Sequence, residues 1–141
     1  MDYQAPKWIM LANDTYKKIL NRKAVSLTKR DKRRGGSYQV KEAMNAIHLA
    51  FQNCQGSDPY DGMPLESQLL EIEDRAIQRI TEIACKRQFR RMPTVAHITA
   101  EPVAQFEIVS RQTYDAKEGY SSEEFIDYCR AVVANSKKSK R

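Results

Sequence analysis

One of the two histidines of this sequence, His97, has carboxylates close to it in sequence, a combination that could carry out acid–base chemistry or bind a metal ion. The sequence has two histidines, His48 and His97, and the second lies in a short β-branched segment. An imidazole titrates near neutral pH and can take up or release a proton. Three carboxylates close to His97 in sequence, Glu101, Asp115 and Glu118, are suitable ligands for a divalent cation. The competing interpretation of His97 is a partly buried histidine with a satisfied hydrogen bond.

The common catalytic and cofactor motifs are missing from the sequence. It has no glycine-rich phosphate loop, no GxSxG and no HExxH, and two histidines are few for a zinc site or a catalytic dyad. His48 lies at the edge of an apolar helical stripe and is interpreted as structural. The cysteines Cys54, Cys85 and Cys129 are far apart, odd in number and set in apolar helical patterns, which predicts core thiols rather than disulfides. Small-molecule metabolism is therefore disfavoured.

Positive charge is concentrated in two parts of the 141-residue chain. The net charge is +6, but residues 17–34 carry +8 and residues 136–141 carry +4, so the remainder carries −6. Such clustering suggests a polyanionic partner, because lysine and arginine neutralise phosphates and release counterions. The competing interpretation is a solvated helical face. An anionic membrane surface is disfavoured because the same segment offers no aromatic-rich insertion face.

Nucleic acid, with DNA favoured over RNA, is the partner that this charge pattern predicts. The candidate phosphate contacts come from segment 17–34, from a second basic cluster at 86–91, and from the segment that follows the predicted strands. They are Lys17, Lys18, Arg22, Lys23, Lys29, Arg30, Lys32, Arg33, Arg34, Arg87, Arg90, Arg91, Arg111 and Lys117. For the last two, ion pairs with the nearby Asp115 and Glu107 are an equal alternative.

Apolar periodicity predicts a mainly helical chain. The first helix has an inward stripe at three- and four-residue spacing, namely Tyr16, Ile19, Leu20, Ala24 and Leu27. Gly35-Gly36 is expected to end it. Ser37 is expected to cap a second helix, which Gly56 closes. The stripe of this second helix is Val40, Ala43, Met44, Ile47, Ala50, Phe51 and Cys54.

A turn and a third helix are expected next. Residues 58–64 have the composition of a tight reversal, and Asp61-Gly62 favours the positive φ angles of a short hairpin. The third helix is predicted from about Ser67, with acids early and bases late, as the helix dipole prefers. Its apolar positions are Leu69, Ile72, Ala76, Ile80, Ile83 and Ala84.

The periodicity changes after the second basic cluster. Segments 94–98 and 106–109 are short and β-branched or alternating, which predicts two antiparallel strands. A short helix is expected around residues 114–118. Ser121 with Glu124 makes a capping box for a last helix. The predicted inner face of that helix is Phe125, Ile126, Cys129, Val132 and Val133.

This order of strand, strand and helix resembles the HNH, or ββα-metal, endonucleases. The resemblance is carried by Pro93–Ile98 (PTVAHI), Phe106–Val109 (FEIV) and Arg111–Lys117 (RQTYDAK). It extends over much of the chain, as in a branch of the family in which a basic helical region precedes the nuclease motif. The further matching positions are Trp8, 22–24, 30–31, 34–35, 46–48, 58–62 and the segment up to Arg130.

The resemblance assigns roles to three positions and shows two departures. In such nucleases the first strand ends in an acid or histidine followed by a general-base histidine, and the helix supplies an Asn or His to the metal site. His97 matches the general base, Ala96 takes the place of the metal-binding acid, and Tyr114 takes that of the helix ligand. A methyl group cannot ligate a cation, and a neutral phenol is a poor ligand for a hard one.

The resemblance therefore implies an inactive or strongly impaired relative. Without its cation, phosphodiester hydrolysis loses both its electrophile and the stabilisation of its leaving group. No cofactor is expected. Mg²⁺, Mn²⁺ or Zn²⁺ would be needed only by an active nuclease, in which Glu101, Asp115 or Glu118 would replace the lost ligands.

Together these patterns predict one α+β domain over residues 1–135 and a basic disordered tail over 136–141. The domain is expected to be mainly helical, with a small two-stranded antiparallel ββα (HNH-like) unit near the C-terminal third. The predicted function is nucleic-acid binding on a nuclease-like scaffold. The alternatives are a metal-dependent endonuclease with substituted ligands and a protein-interaction module that uses the acidic remainder. No apolar run could span a bilayer and no signal peptide is evident, so a cytoplasmic location without a membrane partner is expected.

Overall fold

A computed structural model describes residues 2–76 and 87–139 of the chain. The helices are α1 (Asn13–Arg33), α2 (Val40–Asn53), α3 (Leu69–Ala76), α4 (Arg111–Lys117) and α5 (Ser122–Ser139), and the strands are β1 (Pro93–His97) and β2 (Phe106–Ser110). The strands form a two-stranded antiparallel sheet. The mixture of helix and sheet confirms the predicted α+β class.

Helices α1 and α2 pack through the apolar stripes that the sequence predicts. The five predicted stripe residues of α1 are all buried, and Ile47 and Phe51 of α2 are fully buried against them. A polar contact lies within this interface, because the hydroxyl of Tyr16 is 2.7 Å from Nδ1 of His48. Burial lowers the pKa of His48, so its neutral form is favoured. The structural interpretation of His48 is confirmed.

The ends of three helices refine the predicted boundaries. Gly35 has φ +94° and follows α1, as expected from the Gly35-Gly36 pair. Helix α2 is capped by Gln39 rather than by Ser37, because the chain is still extended at Gln39, and Glu42 Oε1 accepts the N–H of that residue at 3.3 Å. Helix α4 begins at Arg111, earlier than predicted, because Ser110 at the end of β2 serves as its N-cap.

The sheet lies between α2 and α4 and contributes to the same core. Val95 pairs with Ile108, and His97 at the end of β1 pairs with Phe106 at the start of β2. Val95, Phe106 and Ile108 are buried in the core cluster, together with the stripes of α1 and α2. The register therefore places His97 at the end of the sheet that is nearest to the loop joining β1 to β2.

The predicted reversal at 58–64 is present as a short hairpin, although of the Asp61-Gly62 pair only Gly62 has a positive φ, +71°. Asp58 attaches this hairpin to the strand–helix junction. Ser57 and Pro64 form an isolated antiparallel bridge. Asp58 is buried and accepts backbone N–H groups from Tyr60, Asp61 and Ser110 at 2.7, 3.0 and 2.7 Å. Burial opposes ionisation of this carboxyl, but the N–H donors outweigh it and hold its pKa below the usual range.

The third helix is described only in its first part. Leu69 and Leu70 are buried, whereas Ile72 is partly exposed. The predicted continuation through Ile80, Ile83 and Ala84 lies outside the described residues, as does Cys85. Of the other two cysteines, Cys54 is half-buried against the core and Cys129 is exposed, so the core-thiol prediction is wrong for Cys129.

The last helix departs furthest from the sequence prediction. The Ser121–Glu124 capping box is confirmed by reciprocal bonds of 3.0 and 3.2 Å. The predicted inner face is wrong beyond Phe125, because no described element lies over the remaining stripe and its side chains are exposed. Helix α5 also continues to Ser139, through the start of the predicted disordered tail. Within the described residues, no helix combines the length and apolarity needed to cross a membrane.

Candidate functional site

Helix α1, the end of β1 and helix α4 surround a cleft of about 290 Å³. The three positions that the nuclease resemblance singled out, Ala96, His97 and Tyr114, all line it. They come together because α4 starts at the far end of the sheet, after Ser110, and its last residue, Lys117, reaches the carbonyl of His97 at the end of β1. Helix α1 borders the third side through Arg30. The cleft is lined by Arg30, Arg34, Ala96, His97, Thr99, Ala100, Tyr114, Lys117, Glu118, Gly119 and Tyr120.

A buried carboxylate of α1 reaches the histidine in this cleft. Asp31 is fully buried, and its Oδ2 lies 2.6 Å from Nε2 of His97 and 2.6 Å from the hydroxyl of Tyr38. Burial and the bond to Asp31 raise the pKa of Tyr38, which keeps its hydroxyl protonated as a donor. A carboxylate oxygen only accepts, so Nε2 of His97 carries a proton and Nδ1 is the basic nitrogen of the neutral ring.

The position of Asp31 follows from the geometry of α1. It comes four residues after Leu27 and eleven after Leu20, so it continues the apolar stripe of the helix into the core. In the sequence, Asp31 is one of the positions that match the nuclease resemblance (30–31), but the resemblance gives it no role in the site. The available signal was an acid at a position where the helical period requires an apolar side chain.

Arg30 of α1 and Arg34, which follows the last residue of α1, border the cleft. Arg30 Nη1 is 3.2 Å from the hydroxyl of Tyr114, and Arg34 Nη2 donates to the carbonyl of Ala100 at 2.6 Å. Arg34 Nη1 also lies 3.5 Å from Oδ1 of Asp31. Each guanidinium has five N–H donors, so these contacts leave donors for an anion in the cleft. Both arginines are exposed at the surface.

Two other predicted phosphate contacts have partners within the fold. Lys117 is buried, donates to the carbonyl of His97 at 2.7 Å, and lies 3.6 Å from Oε2 of Glu107. Arg111 pairs with Asp115 at 3.2 Å. The pairs with Glu107 and Asp115 are those that the sequence offered as the alternative to phosphate binding. The hydrogen bond from Lys117 to the carbonyl of His97 fixes the end of β1 against α4.

Arg91 likewise serves the fold. It donates to both carboxylate oxygens of Asp61 at 2.9 and 3.2 Å, and to the carbonyls of Met63 and Pro64. These hydrogen bonds of the Arg91 guanidinium hold the hairpin at 58–64 to the segment that precedes β1. Arg87 and Arg90, from the same predicted cluster, are exposed.

The remaining basic residues cover α1. Successive helical residues are about 100° apart, which places Lys18, Lys29 and Arg33 on the side opposite the buried stripe. Lys17, Lys18, Lys29, Lys32 and Arg33 are exposed, and Arg22 and Lys23 are half-buried. Lys17 lies 3.7 Å from Asp2. We name Lys18, Lys29 and Arg33 the outer basic face.

The donors around the cleft do not fit a hard divalent cation. Ala96 has no donor atom, Tyr114 offers a neutral phenol, and Nε2 of His97 is occupied by Asp31. Of the three substitute carboxylates, only Glu118 lines the cleft. Asp115 is paired with Arg111, and Glu101 is exposed outside the lining. In the described part of the chain, no three His, Cys, Asp or Glu side chains are grouped so that they could hold a metal ion.

Comparison of the chain with family models, with curated proteins and with solved structures gave no match. The function is therefore inferred from the geometry of the cleft and from the distribution of charge on the chain.

Proposed function

We propose that this protein binds nucleic acid on an HNH-like ββα scaffold whose metal site has been lost. Arg30 and Arg34 border an imidazole in a cleft at one end of the basic helix, and this arrangement is the observation that supports the proposal. Guanidinium groups suit phosphate because they donate parallel hydrogen bonds with a full positive charge. In this proposal the cleft binds one phosphate group of the nucleic-acid backbone.

The outer basic face extends this surface along α1. Lys18 and Arg33 lie fifteen residues apart, which is about 22 Å of helix at 1.5 Å per residue. Arg33 lies about 60° around the helix from Arg30, so a strand that leaves the cleft and crosses α1 reaches the outer basic face. Contacts of this kind are to phosphates, so they bind DNA and RNA without reading sequence.

The decisive test is a binding titration of labelled duplex DNA, single-stranded DNA and RNA, followed by fluorescence anisotropy. A variant with Arg30→Gln and Arg34→Gln is expected to bind at least about tenfold more weakly, because two charge-assisted contacts are lost. The matched control is Lys7→Gln with Lys41→Gln, which removes the same charge from exposed residues that do not line the cleft. Equal weakening by both variants contradicts the role of the cleft.

The rival function is phosphodiester cleavage, and the Asp31–His97 pair is the feature that favours it. A carboxylate that orients an imidazole through one nitrogen leaves the other nitrogen as a general base. The test adds Mg²⁺, Mn²⁺, Zn²⁺ or EDTA to plasmid and single-stranded DNA, with His97→Ala as the comparison. Cleavage that requires both metal and His97 would replace the binding proposal with the nuclease. Absence of both binding and cleavage would favour a protein-interaction module.

A further inference from the structure

Helix α5 is held to the rest of the described fold at its first turns. Ser122 N–H donates to the carbonyl of Ile98 at 3.2 Å, and Ser122 Oγ contacts Oε2 of Glu107 and the hydroxyl of Tyr60. The ring of Phe125 meets the ring of Tyr60 edge to face, with centroids 5.6 Å apart. These contacts fix the direction in which the helix leaves the ββα unit.

Beyond this anchor the helix exposes an apolar stripe. Ile126, Val132 and Val133 are 39%, 50% and 52% exposed, although their spacing is typical of the buried apolar face of an amphipathic helix. Ile126 and Val133 of this stripe and Tyr60 border an open groove of about 500 Å³, which Cys129 and Ala134 also line. Contiguous apolar surface of this kind on a folded protein marks an interaction site.

Charge along the helix indicates what covers the stripe. The acids Glu123, Glu124 and Asp127 lie in the first half, Arg130 lies at the middle, and Lys137 and Lys138 lie in the last turn. An antiparallel copy of the same helix places acids against bases at both ends, whereas a parallel copy places like charges together. The acids of the first half also disfavour an anionic membrane surface as the occupant.

We propose that α5 is a self-association surface, which pairs antiparallel with α5 of a second copy of this chain. The helix is about 27 Å long at 1.5 Å per residue, and helices that cross at about 20° stay in contact along most of such a length. With Arg130 near the two-fold axis, Glu123 of one copy lies opposite Lys137 of the other, because each is seven residues from Arg130. The two Arg130 side chains then lie near each other at the axis, and each has Asp127 of its own helix 3.5 Å away to offset its charge. The apolar stripes meet between these charged ends.

The first test is sedimentation equilibrium of the full chain from about 1 to about 200 μM, a range that covers weak and moderate dimers. The native chain is expected to become dimeric with concentration, and Val133→Glu is expected to stay monomeric because it buries an unpaired charge. Leu49→Glu is the matched control, since Leu49 is 56% exposed on α2, outside the groove. Circular dichroism verifies that both variants keep the native helix content.

A charge swap tests the antiparallel arrangement. Glu123→Lys and Lys137→Glu each place like charges opposite one another in a homodimer, so each alone is expected to weaken association at least about tenfold. A one-to-one mixture of the two variants restores both pairs and should recover the native affinity. A native chain that is monomeric throughout, a Leu49→Glu effect equal to that of Val133→Glu, or a mixture no stronger than its components would overturn the proposal.

Discussion

Asp31 shows how one buried side chain connects the basic helix to the cleft. It is a carboxylate at a core position of α1, and it accepts hydrogen bonds from His97 and Tyr38 rather than facing water. A buried charge is retained only when hydrogen bonds and opposite charge replace its hydration. The contacts of Asp31 therefore fix both the ring of His97 and the end of α1.

Replacement Asp31→Asn is expected to destabilise the protein and loosen His97. The amide keeps one acceptor oxygen but turns an N–H₂ donor toward groups that also donate, so the free energy of unfolding should fall by about 2 kcal/mol. Urea unfolding measures this loss. Asp115→Asn is the control, since its pair with Arg111 is exposed and contributes little. An equal loss in both variants would contradict a special role for Asp31.

His48 predicts a pH dependence of stability. Its pKa in the folded protein is lowered by burial, so between the folded and unfolded pKa values the unfolded chain binds more protons. Stability therefore rises with pH in this range and is lost as the pH falls below the unfolded value of about 6.5. His48→Gln should flatten the change in unfolding free energy between about pH 7 and pH 5.5. A curve parallel to that of the native chain would show that another group is responsible.

At the scale of elements, the cleft depends on a close approach between the end of α1 and the loop that joins the strands. A Cβ atom at Gly36 would lie 2.8 Å from the carbonyl oxygen of Pro102 and 2.9 Å from that of Asp31. Both neighbours are backbone atoms, so the loop itself would have to move. Gly36 thus permits close packing against the loop that also carries Ala100, the carbonyl of which accepts from Arg34.

Gly36→Ala should therefore lower stability and open the cleft. We expect a loss of about 1–3 kcal/mol in the free energy of unfolding, as for other insertions of a methyl group into closely packed structure. Nucleic-acid affinity should fall as well, because Arg34 loses its position. Gly119→Ala is the control for the stability measurement only, since a Cβ there meets no atom within 4 Å but Gly119 lines the cleft. A free energy of unfolding of Gly36→Ala equal to that of the native chain would contradict this prediction, because the loop that joins β1 to β2 would then accommodate the methyl group without loss of stability.

Most elements could be predicted from the sequence, and the exceptions have physical causes. The stripes of α1 and α2, the two strands and the hairpin follow from local periodicity and turn chemistry. Helix α4 starts early because Ser110 can cap it only once β2 is paired and ended there. The periodicity of α5 predicted an apolar face correctly, but periodicity does not state what covers that face.

At the scale of the whole molecule, the uneven charge distribution predicts how binding responds to salt. Each neutralised phosphate of duplex DNA contributes about 0.9 to the slope of log K against log salt concentration. Lys18→Gln with Lys29→Gln on the outer basic face should therefore reduce that slope by about 2. The control, Lys7→Gln with Lys41→Gln, changes the net charge equally and should leave the slope nearly unchanged. A salt-independent affinity in the native chain would contradict phosphate binding.

The sequence by itself determined the helical stripes, the paired strands, the concentration of charge on the first helix and the amphipathic last helix. These features are local, because they depend on residue types within a few turns of each other. Only the tertiary structure decided that Asp31 meets His97, that Arg30 and Arg34 border the same cleft, and that Lys117 and Arg91 serve the fold. Those contacts join residues far apart in the chain, and their partners are chosen by packing of the whole core, which no local pattern encodes.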